Sequence, residues 1–365
     1  MDKQNTAEMK KLKIAVLFGG CSPEYGVSLK SAYSVITHID EAKYEPILIG
    51  INQKGEWFHF FGEPEKIIND TWNNPADCTR AIISPSRETQ GIVIFEKDGN
   101  VRSVKIDVAM PVLHGKNGED GTVQGLLELA GIMVVGCNTL ASALCMDKDR
   151  AHKIAAQAGV KIARSFTITN YTDAKDCVKK ALQLGFPLFV KPVKAGSSYG
   201  ITRLSNENNI LIPEDFLEAV ELALNYDDEV IVEENIDGFE VGCAVLGSGA
   251  NIIVGEVDEI ELAGGFFNYT EKYTLETSAI HVPARISEEK AKEVKETAKT
   301  IYKALGCSGF ARVDMFLMPD GDIVFNEVNT IPGFTSHSRY PNMLKAIGMT
   351  FEQVIDTLIE QAVKK

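Results

Sequence analysis

Strand-like and helix-like patterns alternate along the first part of the chain. The apolar run 14–18 predicts a buried strand, and the periodic apolar positions of 27–39 predict a helix after it. Further strands are predicted at 45–51, 107–113 and 131–135, a hairpin at 92–106, and helices at 123–130, 139–146 and 147–159. This alternation indicates a doubly wound α/β domain built on a parallel sheet.

The pattern changes after residue 159, where strands follow one another through polar loops. Strands are predicted at 187–190, 229–234, 238–246 and 251–256, and helices at 287–305, 339–347 and 350–363. The chain is too long for one ordinary core, so two or three domains are expected.

Polar residues interrupt the two apolar strands of a predicted hairpin at 310–328. Arg312 and Asp314 recur with period two in the first strand, and Glu327 and Asn329 do so at the end of the second. Because side chains two residues apart share one face of a strand, each pair lies on one face. The hairpin therefore gathers four polar groups.

The register of this hairpin follows from its turn, Met318-Pro319-Asp320-Gly321. If Met318 pairs with Gly321, Arg312 lies opposite Glu327 and Asp314 opposite Phe325. Carboxylates on neighbouring strands repel each other unless a cation lies between them. Carboxylate and amide oxygens suit Mg²⁺ that is held partly by substrate phosphates. The pattern alone also fits a hairpin with one face in water.

Composition and charge exclude several classes of protein. Of the 365 residues 45% are hydrophobic, and the formal net charge of −14 without a long basic run argues against a nucleic-acid partner. Seven scattered cysteines without a metal-binding spacing favour reduced thiols and a cytoplasmic location. No apolar run reaches the roughly 20 residues of a membrane span, and residues 1–11 read as a mobile polar tail.

Several loops carry candidate chemistry. The turn at 19–24 opens a helix and ends in Glu24, which could bind an ammonium group or act only on the helix dipole. The loop 114–122 is either a solvated surface loop or part of a site. The loop 191–200 holds Lys191 among glycines and serines, as expected of a hairpin that covers phosphates. The aromatic loop 264–273 is a lid or a packed hinge.

Motifs in this order resemble those of the ATP-grasp carboxylate-amine ligases, and within them the D-alanine:D-alanine ligases and their vancomycin-resistance relatives. They are GGCSPEYGVS (19–28), HGKNGEDGTVQG (114–125), KPVKAGSSYG (191–200), FFNYTEKY (266–273), and ARVDMF (311–316) with NEVNTIPGFTSHSRYP (326–341). The resemblance extends from about residue 13 to the C-terminus. It implies an ATP-grasp fold behind an N-terminal doubly wound domain, divided as tail 1–11, substrate domain 12–145, central subdomain 146–233 and C-terminal domain 234–365 with a lid at 264–278.

The resemblance implies a two-step reaction. The carboxylate of D-alanine attacks the γ-phosphate of ATP to give D-alanyl phosphate, and a second substrate then attacks that acyl group and releases phosphate. Phosphate charge must be neutralised, water excluded and an oxyanion stabilised. Relatives are usually homodimers. Synapsin-like ATP-grasp proteins, which bind ATP without established ligase chemistry, remain an alternative, whereas a hydride-transferring Rossmann enzyme would need GxGxxG after the first strand.

The resemblance also implies roles for single residues. The ATP phosphates would be contacted by Lys148, Lys191 and Lys272. The adenine would be recognised by Glu233, Glu234 and Ile236, and the ribose by Glu240. The ATP site would also include Asn326. Two Mg²⁺ ions, for which Mn²⁺ can substitute, would be held by Asp314, Glu327 and Asn329. The oxyanion would be stabilised by Arg312 and the backbone N–H of Gly333. The first D-alanine would be bound by Glu24 with Ser197 and Tyr273, and by His114, and the second substrate by Ser338 and Arg339.

The second substrate is where the sequence departs from housekeeping D-alanine:D-alanine ligases. Those enzymes tend to have an apolar residue at the position of Arg339, whereas the resistance ligases resemble this chain. The lid sequence lacks the His typical of D-lactate ligases and is similar to that of D-serine ligases of the VanG and VanC kinds. A guanidinium group there could bind a carboxylate or organise a polar pocket. The expected acceptor is D-serine, with D-alanine as the alternative and D-lactate less favoured.

Overall fold

The computed structural model describes residues 11–196, 199–205, 211–262 and 278–364. All but Lys11 of the predicted tail therefore lies outside the described residues. The helices are α1 (Tyr25–His38), α2 (Glu65–Ile68), α3 (Thr122–Leu129), α4 (Thr139–Met146), α5 (Lys148–Gln157), α6 (Tyr171–Leu184), α7 (Pro213–Leu224), α8 (Glu288–Ala304), α9 (Arg339–Lys345) and α10 (Phe351–Val363).

The first sheet contains eight strands. They are β1 (Leu12–Gly19), β2 (Tyr44–Ile51), β3 (Trp57–Phe60), β4 (Cys78–Ile83), β5 (Gly91–Phe95), β6 (Val101–Lys105), β7 (Val108–Pro111) and β8 (Met133–Val134), in the order β6-β5-β4-β3-β2-β1-β7-β8. Only the β2-β1-β7-β8 half is parallel, while every pairing from β2 to β6 is antiparallel. The predicted doubly wound parallel arrangement is therefore confined to that half, while β5 and β6 form the hairpin predicted at 92–106. The connections from β2 to β3, from β4 to β5 and from β5 to β6 are too short for a parallel crossover.

Both faces of the parallel half are covered. Alternate residues of β1 point to opposite faces, so Ile14, Val16 and Phe18 pack with α1 and α10 while Ala15 and Leu17 pack on the α3 side. A near-continuous apolar strand is what burial on both faces requires. The carboxyl ends of β1 and β7 then lead into the loops that hold Glu24 and His114.

The second sheet has the order β10-β13-β11-β12 and carries the glycine-rich loop. Its strands are β10 (Ser165–Ile168), β11 (Leu188–Pro192), β12 (Thr202–Leu204) and β13 (Val230–Glu234). Helices α6 and α7 share an apolar core with the sheet. Strands β11 and β12 pair antiparallel, so the loop between them closes a hairpin, as predicted.

The third sheet has the order β16-β15-β14-β17-β18-β9. Its strands are β9 (Lys161–Ile162), β14 (Phe239–Ser248), β15 (Asn251–Leu262), β16 (Ser278–His281), β17 (Gly309–Leu317) and β18 (Ile323–Asn329). Residues of α5 and α8 pack with β14, β17 and β18 in one core. The predicted polar hairpin lies in the middle of this sheet, as β17 and β18.

The register of that hairpin differs from the prediction. Arg312 pairs with Asn329 and Asp314 with Glu327, and the register shifts at Asn326. The turn is one residue longer than expected, because the N–H of Met318 bonds the carbonyl of Asp322 (2.9 Å), and a bulge adds a second residue. Two one-residue shifts restore the original facing, since side chains alternate with period two. The expected shared face is therefore retained with different partners.

Candidate active site

The polar face of the β17–β18 hairpin is tied together by hydrogen bonds. Arg312 grips the carboxylate of Asp314 through Nε (2.8 Å to Oδ1) and Nη2 (2.7 Å to Oδ2). Asn329 donates from Nδ2 to Oδ2 of Asp314 at 2.9 Å. Asp314 is only 1% exposed, so this buried charge is compensated by a paired, two-bond contact.

Arg339, the first residue of α9, extends the same network. Its guanidinium binds Asp258 through Nε and Nη2 (2.7 and 2.8 Å), Glu240 through Nη1 (2.7 Å), and approaches Asp314 at 3.3 Å. Asp258 is fully buried on β15. Gly242 makes room for this network, because a Cβ there would lie 2.4 Å from Nη2 of Arg339 and 2.6 Å from Oδ1 of Asp258. The Arg339 guanidinium therefore organises a polar wall, which consists of Arg339, Glu240, Asp258 and Asp314.

Residues of the second and third sheets, together with residues that follow β1 and β7 of the first sheet, line two adjoining cavities of about 450 and 480 Å³. Both cavities are lined by Lys148, Ala195, Gly196, Glu240 and Glu327. A concave, partly apolar site with convergent polar groups is the usual form of a small-molecule site.

The far end of the first cavity is formed by the loops after β1 and β7. Glu24 precedes α1 and lies against Gly115. A Cβ on residue 115 would lie 2.2 Å from Oε2 of Glu24, and its φ of +70° also favours glycine. His114 donates from Nδ1 to the Ile331 carbonyl (2.9 Å), and Nε2 meets Ser31 Oγ (3.1 Å). Burial lowers the pKa of His114, so the ring is neutral.

Glu119 is a site residue that the sequence reasoning missed. Its carboxyl accepts the N–H of Gly115 (2.9 Å) and the N–H of Ile331 (3.0 Å), which joins the loop after β7 to the loop after β18. Burial, together with the nearby charge of Glu24, raises the pKa of Glu119 to about 8. The only signal in the sequence was its place in the polar loop 114–122, because its partner Ile331 is more than two hundred residues away along the chain.

Two lysines line the cavities: Lys148 lines both, and Lys191 lines the second. The side chain of Asp147 caps α5 through the N–H of Arg150, so Lys148 begins the helix; its Nζ bonds the Ala195 carbonyl (2.8 Å) and lies 3.8 Å from Glu327. Lys191 forms a buried ion pair with Glu233 (2.6 Å). Both cations line the second cavity, as the phosphate prediction requires.

The strand-to-linker junction after β13 also lines the second cavity. Its wall includes Glu234, Asn235 and Ile236. The side chain of Glu234 is held by Arg164 Nε at 2.7 Å. This ion pair restricts the Glu234 carboxylate in binding a ligand. Glu233 and its partner Lys191 both line the second cavity.

The remaining predicted residues fall in two groups. Gly333 and Ser338 line the first cavity, where Ser338 Oγ accepts the N–H of Thr335 (3.0 Å), and Asn326 lines the second. Ser197, Lys272 and Tyr273 lie outside the described residues, as does nearly all of the predicted lid.

Comparison with known proteins identifies the family. The family descriptions "D-ala D-ala ligase N-terminus" and "D-ala D-ala ligase C-terminus" match residues 13–137 and 154–360. This chain belongs to the D-Ala-D-Ala ligase family. Its ATP-grasp architecture is confirmed by the likeness to solved ligases.

Three relatives show how widely the likeness extends. The crystal structure of the VanG D-Ala:D-Ser ligase from Enterococcus faecalis is 55% identical, with a TM-score of 0.88 over 97% of this chain and 100% of that one. The vancomycin/teicoplanin A-type resistance protein VanA of Enterococcus faecium is 44% identical over 98% of this chain and 100% of its own length. The D-alanine–D-alanine ligase of Caldicellulosiruptor bescii is 41% identical over 98% and 96%.

The donor set on the hairpin fits a divalent metal ion, which this family uses with ATP. Within the described ranges no three acidic, His or Cys side chains gather as a metal site. Mg²⁺, however, needs only one or two carboxylates when phosphates supply further oxygens. Glu327 and Asn329 line the first cavity, and Asp314 lies directly opposite Glu327.

The described helices include none that is long and apolar enough to cross a bilayer.

Proposed function

We propose that this protein is an ATP-dependent ligase that joins D-alanine to D-serine through D-alanyl phosphate, with release of ADP and phosphate. The observation that carries the acceptor assignment is the 55% identity to a D-Ala:D-Ser ligase over 97% of the chain. Under this proposal ATP occupies the second cavity and the two amino acids occupy the first. Two Mg²⁺ ions held by Asp314, Glu327 and Asn329 would supply charge neutralisation between the phosphates.

Charge at the far end of the first cavity suits an amino acid's ammonium group. The raised pKa of Glu119 keeps that carboxyl protonated at pH 7, so Glu24 provides the negative charge for the cation. His114 is neutral and adds no positive charge to the site, and its ring is held by hydrogen bonds with Ile331 and Ser31. The first D-alanine would thus present its carboxylate towards the shared part of the cavities, where Lys148 lies.

The first step brings two anions together. A carboxylate oxygen attacks the γ-phosphorus, the bond to the β-phosphate oxygen breaks, and ADP leaves with that electron pair. Lys148 and Lys191 line the second cavity and would offset phosphate charge. Positioning and electrostatics supply most of such catalysis, which agrees with a site of fixed cations and few titrating groups.

The second step needs an oxyanion site. The amine of the second substrate attacks the acyl carbon and gives up one proton. As the tetrahedral intermediate collapses, the bond from that carbon to the phosphate oxygen breaks, and phosphate leaves with the electron pair and can take the proton. Arg312 and Gly333 both line the first cavity, and a guanidinium and a backbone N–H are both suitable donors to that oxyanion. The ion pair with Asp314 orients the guanidinium.

The polar wall around Arg339 supports D-serine as acceptor. A hydroxyl group can both donate and accept hydrogen bonds, and the first cavity is lined by the Arg339 guanidinium beside the Glu240 carboxylate. A site that hydrogen-bonds a hydroxyl discriminates against the analogue that lacks it. Peptidoglycan precursors ending in D-serine would bind vancomycin less well, which is the proposed cellular role, in the cytoplasm and as a homodimer.

Product analysis tests the assignment. The protein is incubated with Mg·ATP and equal D-alanine and D-serine, with D-lactate in a parallel reaction, and products are identified by mass. We expect D-alanyl-D-serine to dominate. D-alanyl-D-alanine alone would make it a housekeeping ligase, a depsipeptide would assign D-lactate, and nucleotide binding without turnover dependent on a D-amino acid would identify a binding module.

A further inference from the structure

Two buried acceptor atoms face each other at the floor of the second cavity. Nδ1 of His152 and Oε1 of Glu233 lie 3.5 Å apart, and neither has a hydrogen-bond partner among the residues that the structure describes. The two residues are 2% and 6% exposed, and both line the cavity. Buried polar atoms without partners are rare, because each costs its desolvation energy.

The tautomer of His152 follows from its other nitrogen. Nε2 lies 2.7 Å from the carbonyl oxygen of Asn326, which can only accept, so Nε2 carries the hydrogen. Burial lowers the pKa of His152 more than the Glu233 carboxylate raises it, so the ring is neutral. Nδ1 is therefore a bare acceptor, held in place by the Asn326 bond and by edge-on packing against Phe325 at 5.3 Å.

Glu233 is also an acceptor. Burial acts to raise its pKa, but the ion pair with Lys191 outweighs burial, and the pKa lies below its ordinary value. Lys191 binds Oε2 at 2.6 Å, which leaves Oε1 towards His152. Two neighbouring acceptors repel each other unless a donor with N–H groups lies within reach of both.

We infer that His152 is a specificity-determining residue for the nucleotide, whose Nδ1 accepts a hydrogen bond from the exocyclic amino group of a 6-aminopurine together with Glu233 Oε1. The inference rests on the proposed binding of ATP in the second cavity. The surroundings suit a flat heteroaromatic ring, since Ala163, Phe316 and Phe325 also line this cavity. A 6-oxopurine would present a third acceptor to the same two atoms and is disfavoured.

Two substitutions separate this role from a structural one. His152→Asn puts an amide oxygen near the position of Nδ1 and removes the bond to Asn326. His152→Gln puts an amide N–H near the position of Nε2, which keeps that bond, and removes the acceptor. The readout is the ratio of kcat/KM for ATP to kcat/KM for purine riboside triphosphate, which lacks only the amino group, at saturating D-alanine and D-serine.

We expect the unchanged protein to prefer ATP by about ten- to a hundredfold, and His152→Gln to lose about tenfold of that ratio. His152→Asn should keep the ratio within about threefold of the unchanged protein. An equal fall for both nucleotides in His152→Gln, or the same ratio in Asn and Gln variants, would make His152 merely structural and overturn the inference.

A spectroscopic measurement does not depend on the variants folding. In protein labelled with ¹⁵N-histidine, the Nδ1 resonance of His152 should move upfield on addition of ATP and stay in place with purine riboside triphosphate. The same response to both nucleotides would contradict the inference. If the unchanged protein makes no product with either nucleotide, the ligase proposal fails, while the binding of the two nucleotides measured by calorimetry still decides the role of His152.

Discussion

The protonated state of Glu119 predicts a specific pH dependence of stability. The substitution Glu119→Gln imitates the neutral carboxyl in size and polarity, and keeps an oxygen that can accept the N–H of Gly115 or Ile331. It therefore removes the titration together with one of the two hydrogen bonds, because the amide nitrogen cannot accept the other N–H. We expect the variant to be favoured over the unchanged protein increasingly as the pH rises.

The magnitude follows from the raised pKa. The folded protein holds the proton of Glu119 up to about pH 8, whereas an ordinary glutamate releases it near 4.5. The unfolded chain thus binds fewer protons between these values, so the unfolding free energy falls as pH rises through this range. A shift of about 3.5 units at about 1.4 kcal/mol per unit amounts to about 5 kcal/mol above pH 8, and to nothing below about pH 4.5.

Urea unfolding of both proteins from pH 5 to 8.5, without substrates, measures this difference. Glu221→Gln, on the exposed face of α7, is the matched control and should follow the unchanged protein at every pH. The slope of the Glu119→Gln difference against pH is the test, because the lost hydrogen bond and any change in packing give a constant offset. Parallel stability curves for the two proteins would refute the reasoning.

Three further substitutions test the proposed site. Glu327→Gln should lower turnover about a thousandfold with an unchanged unfolding curve, and retained turnover would exclude a metal-ligand role. Asp258→Asn removes one of the carboxylates that bind Arg339, so it should lower the unfolding free energy by about 3 kcal/mol. It should also shift the product from D-alanyl-D-serine towards D-alanyl-D-alanine, and an unaltered product ratio would count against the polar wall. Lys191→Ala should raise KM for ATP about tenfold or more and leave KM for D-serine unchanged, whereas equal changes in both would indicate general disruption.

Local patterns were sufficient to predict much of the fold. Helix α4 begins and ends where predicted, and the periodic apolar positions of α10 place it within a residue. The polar face of the β17–β18 hairpin was predicted because period two survives a shift of two residues. Strands β3 and β4 were missed, because these short strands contain polar residues and lack the continuous apolar run that predicted β1 on the parallel side.

The contacts that complete the site could not be predicted from spacing. Glu119 bonds the backbone of Ile331 from another loop, and Asp258 meets Arg339 across strands and a helix that are distant in sequence. An acidic residue in a polar loop and one inside a strand have many possible environments. Only the assembled sheets decide that one carboxyl becomes a buried acid and the other a buried counter-ion.

Asp258 has a consequence for the metal site through Arg339. Asp314 is approached by two guanidinium groups, that of Arg312 at 2.7 Å and that of Arg339 at 3.3 Å. A divalent cation would have to share the Asp314 oxygens with both. Because Asp258 holds Arg339 through two bonds, the Arg339 charge is largely balanced elsewhere and competes less for Asp314. The same buried carboxylate can therefore support acceptor recognition at one side of Arg339 and metal binding at the other, which joins the two substrate-facing parts of the site in a single ion network.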